Sequence, residues 1–151
     1  MKNKKANTHG VISLLIVFTS FILGIVAIIP YSYVMAFISL FLVVLAFFCV
    51  SFLYCSKCTC REKCNHILIG KLSVLLIEKK AGKYSLSDLI LGVMLPFGIA
   101  IAFPQYWLIQ NLPLFILYWS LLLIALIEIT MLVCNNCKND KCSLCRSCGR
   151  K

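Results

Sequence analysis

The sequence predicts an all-α integral membrane protein with four transmembrane helices in two antiparallel hairpins and a short interfacial amphipathic helix between them. Three observations predict this class. The chain of 151 residues is 62% hydrophobic, whereas soluble domains are roughly half apolar. Four long apolar stretches contain no lysine or arginine. All 15 basic residues fall in the three segments around these stretches, at residues 2–5, 57–83 and 138–151.

The first hairpin is predicted over residues 11–54, after a basic tail at residues 1–10. Val11–Ile29 is a run of 19 uncharged residues, enough to cross a hydrocarbon core about 30 Å thick at about 1.5 Å per residue. This run is too long for the h-region of a signal peptide, and no small-residue cleavage site follows it, so we expect a retained helix. Pro30 should end that helix because proline has no N–H to donate. A short PYSY turn then leads into the second span, Val34–Tyr54.

The central segment, residues 55–84, is predicted to be a cysteine-rich loop that contains the amphipathic helix. In Ile67–Lys80, four leucines recur at i, i+4, i+7 and i+8, while a glycine, a lysine and a serine fall largely on the opposite face. This pattern is typical of a helix that lies along the membrane interface. The segment is too short and too charged at its end to span the bilayer.

The second hairpin is predicted over residues 85–133, and a cysteine-rich tail follows at residues 134–151. The hairpin begins with a serine followed three residues later by an aspartate, which fits a helix N-cap. The third span then runs from Leu89 to about Gln110, and Pro96 should kink it. A second tight turn precedes the fourth span, Pro113–Val133, whose proline suits the first position of a helix.

The distribution of charge predicts the orientation. The chain has 15 basic and 5 acidic residues, a formal net charge of +10, and the two hairpin turns carry no charge. The positive-inside rule therefore places both termini, the central loop and both cysteine clusters in the cytoplasm of a cell-membrane protein. Because the basic residues flank apolar stretches, we expect the lipid bilayer as a partner and not nucleic acid.

The two halves of the chain resemble each other. CSKCTCREKC at residues 55–64 and CNNCKNDKC at residues 134–142 align over their first two cysteines. Each follows a helix, a tight turn and a second helix, and Cys49 and Glu128 each lie six residues before a cluster. Both halves run in the same direction, so the pattern predicts a parallel internal repeat about an axis along the membrane normal.

Nine of the ten cysteines lie in the two clusters. The cytoplasm keeps thiols reduced, so this spacing indicates metal binding and not disulfides. The predicted metal ligands are Cys55, Cys58, Cys60, Cys64, His66, Cys134, Cys137, Cys142, Cys145 and Cys148. Zinc is the favoured cofactor because each C-x-x-C turn supplies two ligands to a tetrahedral site. The expected product is a membrane-anchored cap that binds metal or a protein partner, and no catalytic residue is identified.

Other functions fit the same cysteines. Cys142, Cys145 and Cys148 have the spacing of a bacterial ferredoxin run without its final Cys-Pro, and this resemblance implies an iron–sulfur electron carrier as the alternative. Thiols beside a membrane are also sites of palmitoylation. Four spans with C-x-x-C pairs resemble the quinone-coupled membrane enzymes that form disulfides, but those hold their thiols on the oxidising side. A thiol–disulfide oxidoreductase is therefore less expected, as is a metal transporter.

Three single residues remain. Glu128 is a carboxylate inside the fourth span, where it is either a functional group or the partner of a basic residue. With Cys49 and the Pro96 kink, it would line the path of a transporter. Cys49 itself is expected to pack as a small buried hydrophobe. His9 falls in the basic tail, where we expect no specific role. A protein that binds the cap would be a membrane or a cytoplasmic protein.

Overall fold

The computed structural model describes residues 2–57 and 85–133, which form helices joined by tight turns, with no β-strand among them. The α-helices are α1 (Lys2–Ile28), α2 (Tyr33–Cys49), α3 (Leu86–Leu89), α4 (Leu95–Ala102), α5 (Gln105–Leu108) and α6 (Leu112–Ile127). Three π-helical segments are π1 (Val50–Tyr54), π2 (Ile90–Met94) and π3 (Glu128–Val133). A 3₁₀ turn, Cys55–Lys57, follows π1.

Consecutive elements join into four helices that are long and apolar enough to cross a membrane. These are span 1 (Thr8–Ile28), span 2 (Tyr33–Lys57), span 3 (Leu86–Leu108) and span 4 (Leu112–Leu132), each of 21 to 25 residues. The prediction of an all-helical chain with four helices of spanning length is confirmed. The amphipathic helix predicted in residues 67–80 lies outside the described residues. The backbone is already helical from Lys2, within the segment predicted as a basic tail.

Both turns between spans are short, as the sequence predicts. After span 1, the backbone N–H groups of Tyr31 and Ser32 both donate to the carbonyl of Ile28, at 2.9 and 3.1 Å. The Ser32 hydroxyl then caps α2 by accepting a hydrogen bond from a backbone N–H three residues on. Before span 4, the side chain of Asn111 caps α6 in the same way, with Pro113 in the first helical turn. These caps satisfy N–H groups that a helix start leaves without partners.

Span 3 is irregular just ahead of Pro96, where the sequence predicts a kink. Residues 90–94 form π2, and the N–H of Leu95 donates to the carbonyl of Ile90, five residues back. Pro96 has no N–H, so the α-helical ladder loses a donor at the next position. The wide turn and the proline therefore interrupt the helix at adjacent points, and α4 resumes regular geometry from Leu95.

The most extensive helix contacts join spans that are not neighbours in sequence. α1 packs mainly against α6 and π3, while α2 packs mainly against α4 and π2. Contacts also join α1 to α2 and α1 to α5 but are smaller. Span 1 thus meets all three other spans and forms the centre of the bundle.

Two small apolar cores lie along span 1. The first contains Phe21, Val43, Ala46 and Ala100, from spans 1, 2 and 3. The second contains Ala27, Leu108 and Tyr118, from spans 1, 3 and 4. Small residues in both cores let the helix backbones approach closely, as is common between helices in membranes.

Aromatic rings fill the first core between the small residues. The ring of Phe47 stacks on Phe18 with centroids 4.9 Å apart and meets Phe97 edge-on at 5.4 Å. Phe21 packs against both Phe47 and Phe97, with centroids 6.3 and 6.2 Å away. Offset stacks and edge contacts of this kind are the favoured arrangements of aromatic side chains. They connect spans 1, 2 and 3.

The bundle is apolar outside and carries hydroxyl groups inside. Large side chains such as Tyr33, Phe37 and Leu15 are at least 60% exposed. Ser13 and Ser20 are fully buried, and their hydroxyls donate to backbone carbonyls three and four residues back. A soluble protein rarely exposes apolar surface on this scale. Such a surface is suited to the hydrocarbon of a bilayer. In that solvent, polar groups must find their hydrogen-bond partners within the protein, as the two buried serines do.

Candidate metal centre

Of the ten predicted metal ligands, Cys55 lies in the described part of the chain. It is half-buried and begins the 3₁₀ turn Cys55–Lys57 at the end of span 2. The remaining predicted ligands lie outside the described residues: Cys58, Cys60, Cys64, His66, Cys134, Cys137, Cys142, Cys145 and Cys148. Within residues 2–57 and 85–133, no three His, Cys, Asp or Glu side chains come close enough together to hold a metal ion. The described residues therefore include the helix ends that are next to the predicted ligands in sequence.

A short ion pair joins the two helix ends that flank the first cluster in sequence. The ammonium of Lys57 lies 2.6 Å from Oδ2 of Asp88, and these side chains are 23% and 16% exposed. The same Oδ2 accepts a hydrogen bond of 2.8 Å from the backbone N–H of Ser85. The pair thus joins the end of span 2 to the start of span 3, on either side of residues 58–84.

The sequence predicts the helix cap in this arrangement but not the ion pair. It predicts Ser85 and Asp88 as a helix N-cap, and the structure has the reciprocal capping box. The pairing with Lys57 was not predicted, because 31 residues separate the partners and their contact depends on how spans 2 and 3 pack. Ser56 is fully buried beside this pair, and its hydroxyl has no hydrogen-bond partner among the described residues.

A second polar pair lies near the end of span 4, the helix that precedes the second cluster in sequence. Glu128 is the first residue of π3, and its Oε1 lies 3.8 Å from Nδ1 of His9 on α1. Thr130, two residues further, donates its hydroxyl to the carbonyl of Leu126 at 2.8 Å and also contacts that of Ile127 at 3.2 Å. The hydroxyl therefore binds backbone carbonyls where α6 passes into π3.

His9 is the residue that sequence analysis missed. Counting residues 1–10 as a tail separated it from the helix to which it belongs. Its spacing from Ser13 and Ser20, four and eleven residues on, places all three along one face of α1. That polar face was the signal in the sequence that could have placed His9 on the first helix. Glu128 lies 3.8 Å from His9, and its functional role stays a prediction, while Cys49 ends α2 half-buried.

No known protein family, curated protein or solved structure matches this chain. The fold itself defines the class, an all-helical protein with four helices long and apolar enough to cross a membrane. Function must therefore be argued from the residues at the helix ends.

Proposed function

We propose that this protein is an integral membrane protein whose loop and tail hold metal ions through cysteine thiolates, with zinc favoured. The resulting cap binds metal or a protein partner and is not an enzyme. One observation carries the proposal. Cys55 lies in the last turn of span 2, and Cys134 comes two residues after the end of span 4. Each C-x-x-C turn is thereby attached directly to a helix end, and such a turn supplies two of the four thiolates of a zinc site.

The correspondence between helix ends supports a parallel repeat of two hairpins. The same 79 residues separate the caps Ser32 and Asn111, and also the first cluster cysteines Cys55 and Cys134. The segments π1 and π3 occupy corresponding places before the two clusters. A two-fold axis along the membrane normal would exchange spans 1 and 3 and spans 2 and 4. It would therefore exchange the two most extensive contacts, span 1 with span 4 and span 3 with span 2.

The buried faces of the two halves supply a second argument for the repeat. Four pairs of residues that are 79 positions apart are buried in both halves: Ser13 and Gly92, Phe21 and Ala100, Ser39 and Tyr118, and Ala46 and Ala125. Burial at the same register supports the proposal that corresponding helices turn the same face to the core. The side chains differ in size, so the correspondence concerns helix orientation and not detailed packing.

The proposed orientation places both termini and both clusters in the cytoplasm. It rests on the positive-inside rule, because all 15 lysines and arginines lie in the three segments at one end of the spans. A reducing cytoplasm keeps closely spaced thiols free to bind metal. The same placement argues against a thiol–disulfide oxidoreductase, which needs an oxidising partner.

Elemental analysis of the full chain, purified without oxygen from its own host, tests the proposal. We expect a colourless protein with roughly two zinc ions per chain, because nine thiols suffice for two four-ligand sites. Replacing Cys55 and Cys58 together with Ser should remove roughly one zinc ion, since one C-x-x-C turn is lost. Cys49→Ser is the matched control and should leave the zinc content unchanged, because Cys49 lies outside both clusters.

Two results would contradict the zinc centre. The first is an unchanged zinc content in the Cys55→Ser, Cys58→Ser variant. The second is a brown protein that contains iron and sulfide. That second result would support the alternative function, a membrane-bound electron carrier, which the spacing of Cys142, Cys145 and Cys148 favours.

A further inference from the structure

A polar site lies where α1 meets π3. His9 Nδ1 and Glu128 Oε1 are 3.8 Å apart, and the two side chains are 39% and 21% exposed. Although the side chains reach the surface, His9 Nδ1 and Glu128 Oε2 are themselves buried, and neither has a hydrogen-bond partner among the described residues. A buried polar atom without a partner costs free energy.

We propose that His9 and Glu128 form a proton-binding site that joins span 1 to span 4. An imidazole that carries its hydrogen on Nε2 becomes an imidazolium when a proton binds at Nδ1, and Nδ1 then becomes a donor. It can close with the carboxylate of Glu128 to a charge-assisted hydrogen bond of about 2.7–2.9 Å. Histidine is the side chain that ordinarily changes its charge between about pH 5 and pH 8, so measurements at the two ends of this range test the proposal.

Glu128 is the acidic side chain placed to act as the counter-ion of His9. Within the described residues, the elements with the most extensive contacts to α1 are α2, α5, α6 and π3, and Glu128 is the only carboxylate on these elements. Their other titratable groups are Tyr33, Cys49, Tyr106 and Tyr118. The carboxylate of Glu128 is therefore the available counter-ion for an imidazolium at position 9.

The other half of the molecule offers a natural comparison. Asp88 lies 79 residues after His9, so both begin an odd-numbered span at corresponding positions. Each pairs with the end of the even-numbered span packed against it, Asp88 with Lys57 and His9 with Glu128. Lysine and aspartate both keep their charges between about pH 5 and pH 8. The first pair is therefore permanent, while the second depends on a proton, and this difference does not depend on any bound metal.

A double-mutant cycle in the full chain, reconstituted in lipid nanodiscs, tests the inference. The variants are His9→Gln, Glu128→Gln and both together, and Tm is measured at about pH 5.5 and about pH 8. We expect the two substitutions to be coupled by about 2–4 °C at the acidic pH and to be additive at the alkaline pH. The sign follows because a histidine that gains a partner adds stability below its titration range and loses it above. The cycle cancels the titration of His66, the thiols and the lysines, which are present in every variant.

Two further cycles keep the test decisive. His9→Lys places a permanent cation at position 9, so its coupling to Glu128→Gln should appear at both pH values. The matched control is the cycle of Lys57→Met and Asp88→Asn, which should also be coupled at both pH values. Additivity of the His9 and Glu128 substitutions at both pH values would overturn the proton site. Coupling of equal size at both would overturn it as well, because the link would then need no proton.

Discussion

Asp88 shows how a single polar residue serves two structural purposes at a helix end. Its carboxylate accepts a hydrogen bond from the Ser85 backbone, which completes the capping box of α3, and it also pairs with Lys57. Both interactions favour the ionised carboxylate, so each reinforces the other. The consequence is that the start of span 3 is held to the end of span 2 at the point where the first cysteine cluster begins.

Replacing Lys57 with Met should lower Tm, because the carboxylate of Asp88 then loses its cation while it remains partly buried. Thermal unfolding in nanodiscs measures the effect. Lys57→Arg is the matched control and should restore most of the loss, because arginine is a permanent cation that can reach the same carboxylate. An unchanged Tm in the Lys57→Met variant would show that the ion pair contributes nothing measurable.

At the scale of the element, α1 depends on one close approach to its neighbours. A Cβ atom at Gly24 would lie 3.3 Å from the ring atoms of Pro104 and from Cε2 of Tyr118. Tyr118 and Pro104 are fully buried, so neither side chain has free space into which to move. The absence of a side chain at position 24 therefore allows span 1 to contact spans 3 and 4 together.

Gly24→Leu should cost about 1–3 kcal/mol in the free energy of unfolding, because a larger side chain overpacks a closed site. Gly98→Leu is the matched control, since nothing lies within 4 Å of a Cβ built at that position. The control should change stability by no more than about 0.5 kcal/mol. Chemical denaturation of both variants in the same detergent gives the comparison. Equal losses at the two positions would argue that the contact with Pro104 and Tyr118 does not decide the effect.

At the scale of the whole molecule, the apolar exterior and four helices of spanning length indicate a membrane protein, and the placement of charge supports the proposed orientation. The described turns at residues 29–32 and 109–111 carry no charge, and both lie at the end of the bundle opposite the Lys57–Asp88 pair. Under the proposed orientation, these turns face the outside of the cell. The native thiols of the two clusters then face the cytoplasm.

Labelling of intact cells with a membrane-impermeant maleimide tests this topology. The native protein should remain unlabelled despite its ten cysteines, because the cluster thiols face the cytoplasm. Tyr31→Cys and Gln110→Cys should each become labelled, since both place a thiol in an outer turn. Permeabilised cells provide the positive control for reactivity. Labelling of the native clusters from outside would reverse the orientation and make disulfide chemistry the better explanation of the cysteines.

The four spans and the short turns could be predicted from sequence because they follow from local chemistry. Uncharged runs of spanning length need internal hydrogen bonds, and prolines and caps limit where helices can begin and end. Ser32 and Asn111 follow the same local rule, since each accepts a hydrogen bond from a residue three positions on. The cysteine clusters could likewise be recognised from spacing alone, and the proposal of metal ligands rests on that spacing.

Tertiary structure alone decided which spans pack together and which polar groups meet. An apolar helix presents similar surface in every direction, so hydrophobicity does not specify whether span 1 packs against span 2 or span 4. The choice depends on small residues and ring shapes, such as Gly24 against Tyr118 and Phe47 against Phe97. The pairs Lys57–Asp88 and His9–Glu128 follow from that packing. Contacts between residues so far apart in sequence have no local signal, because only the packed helices bring them together.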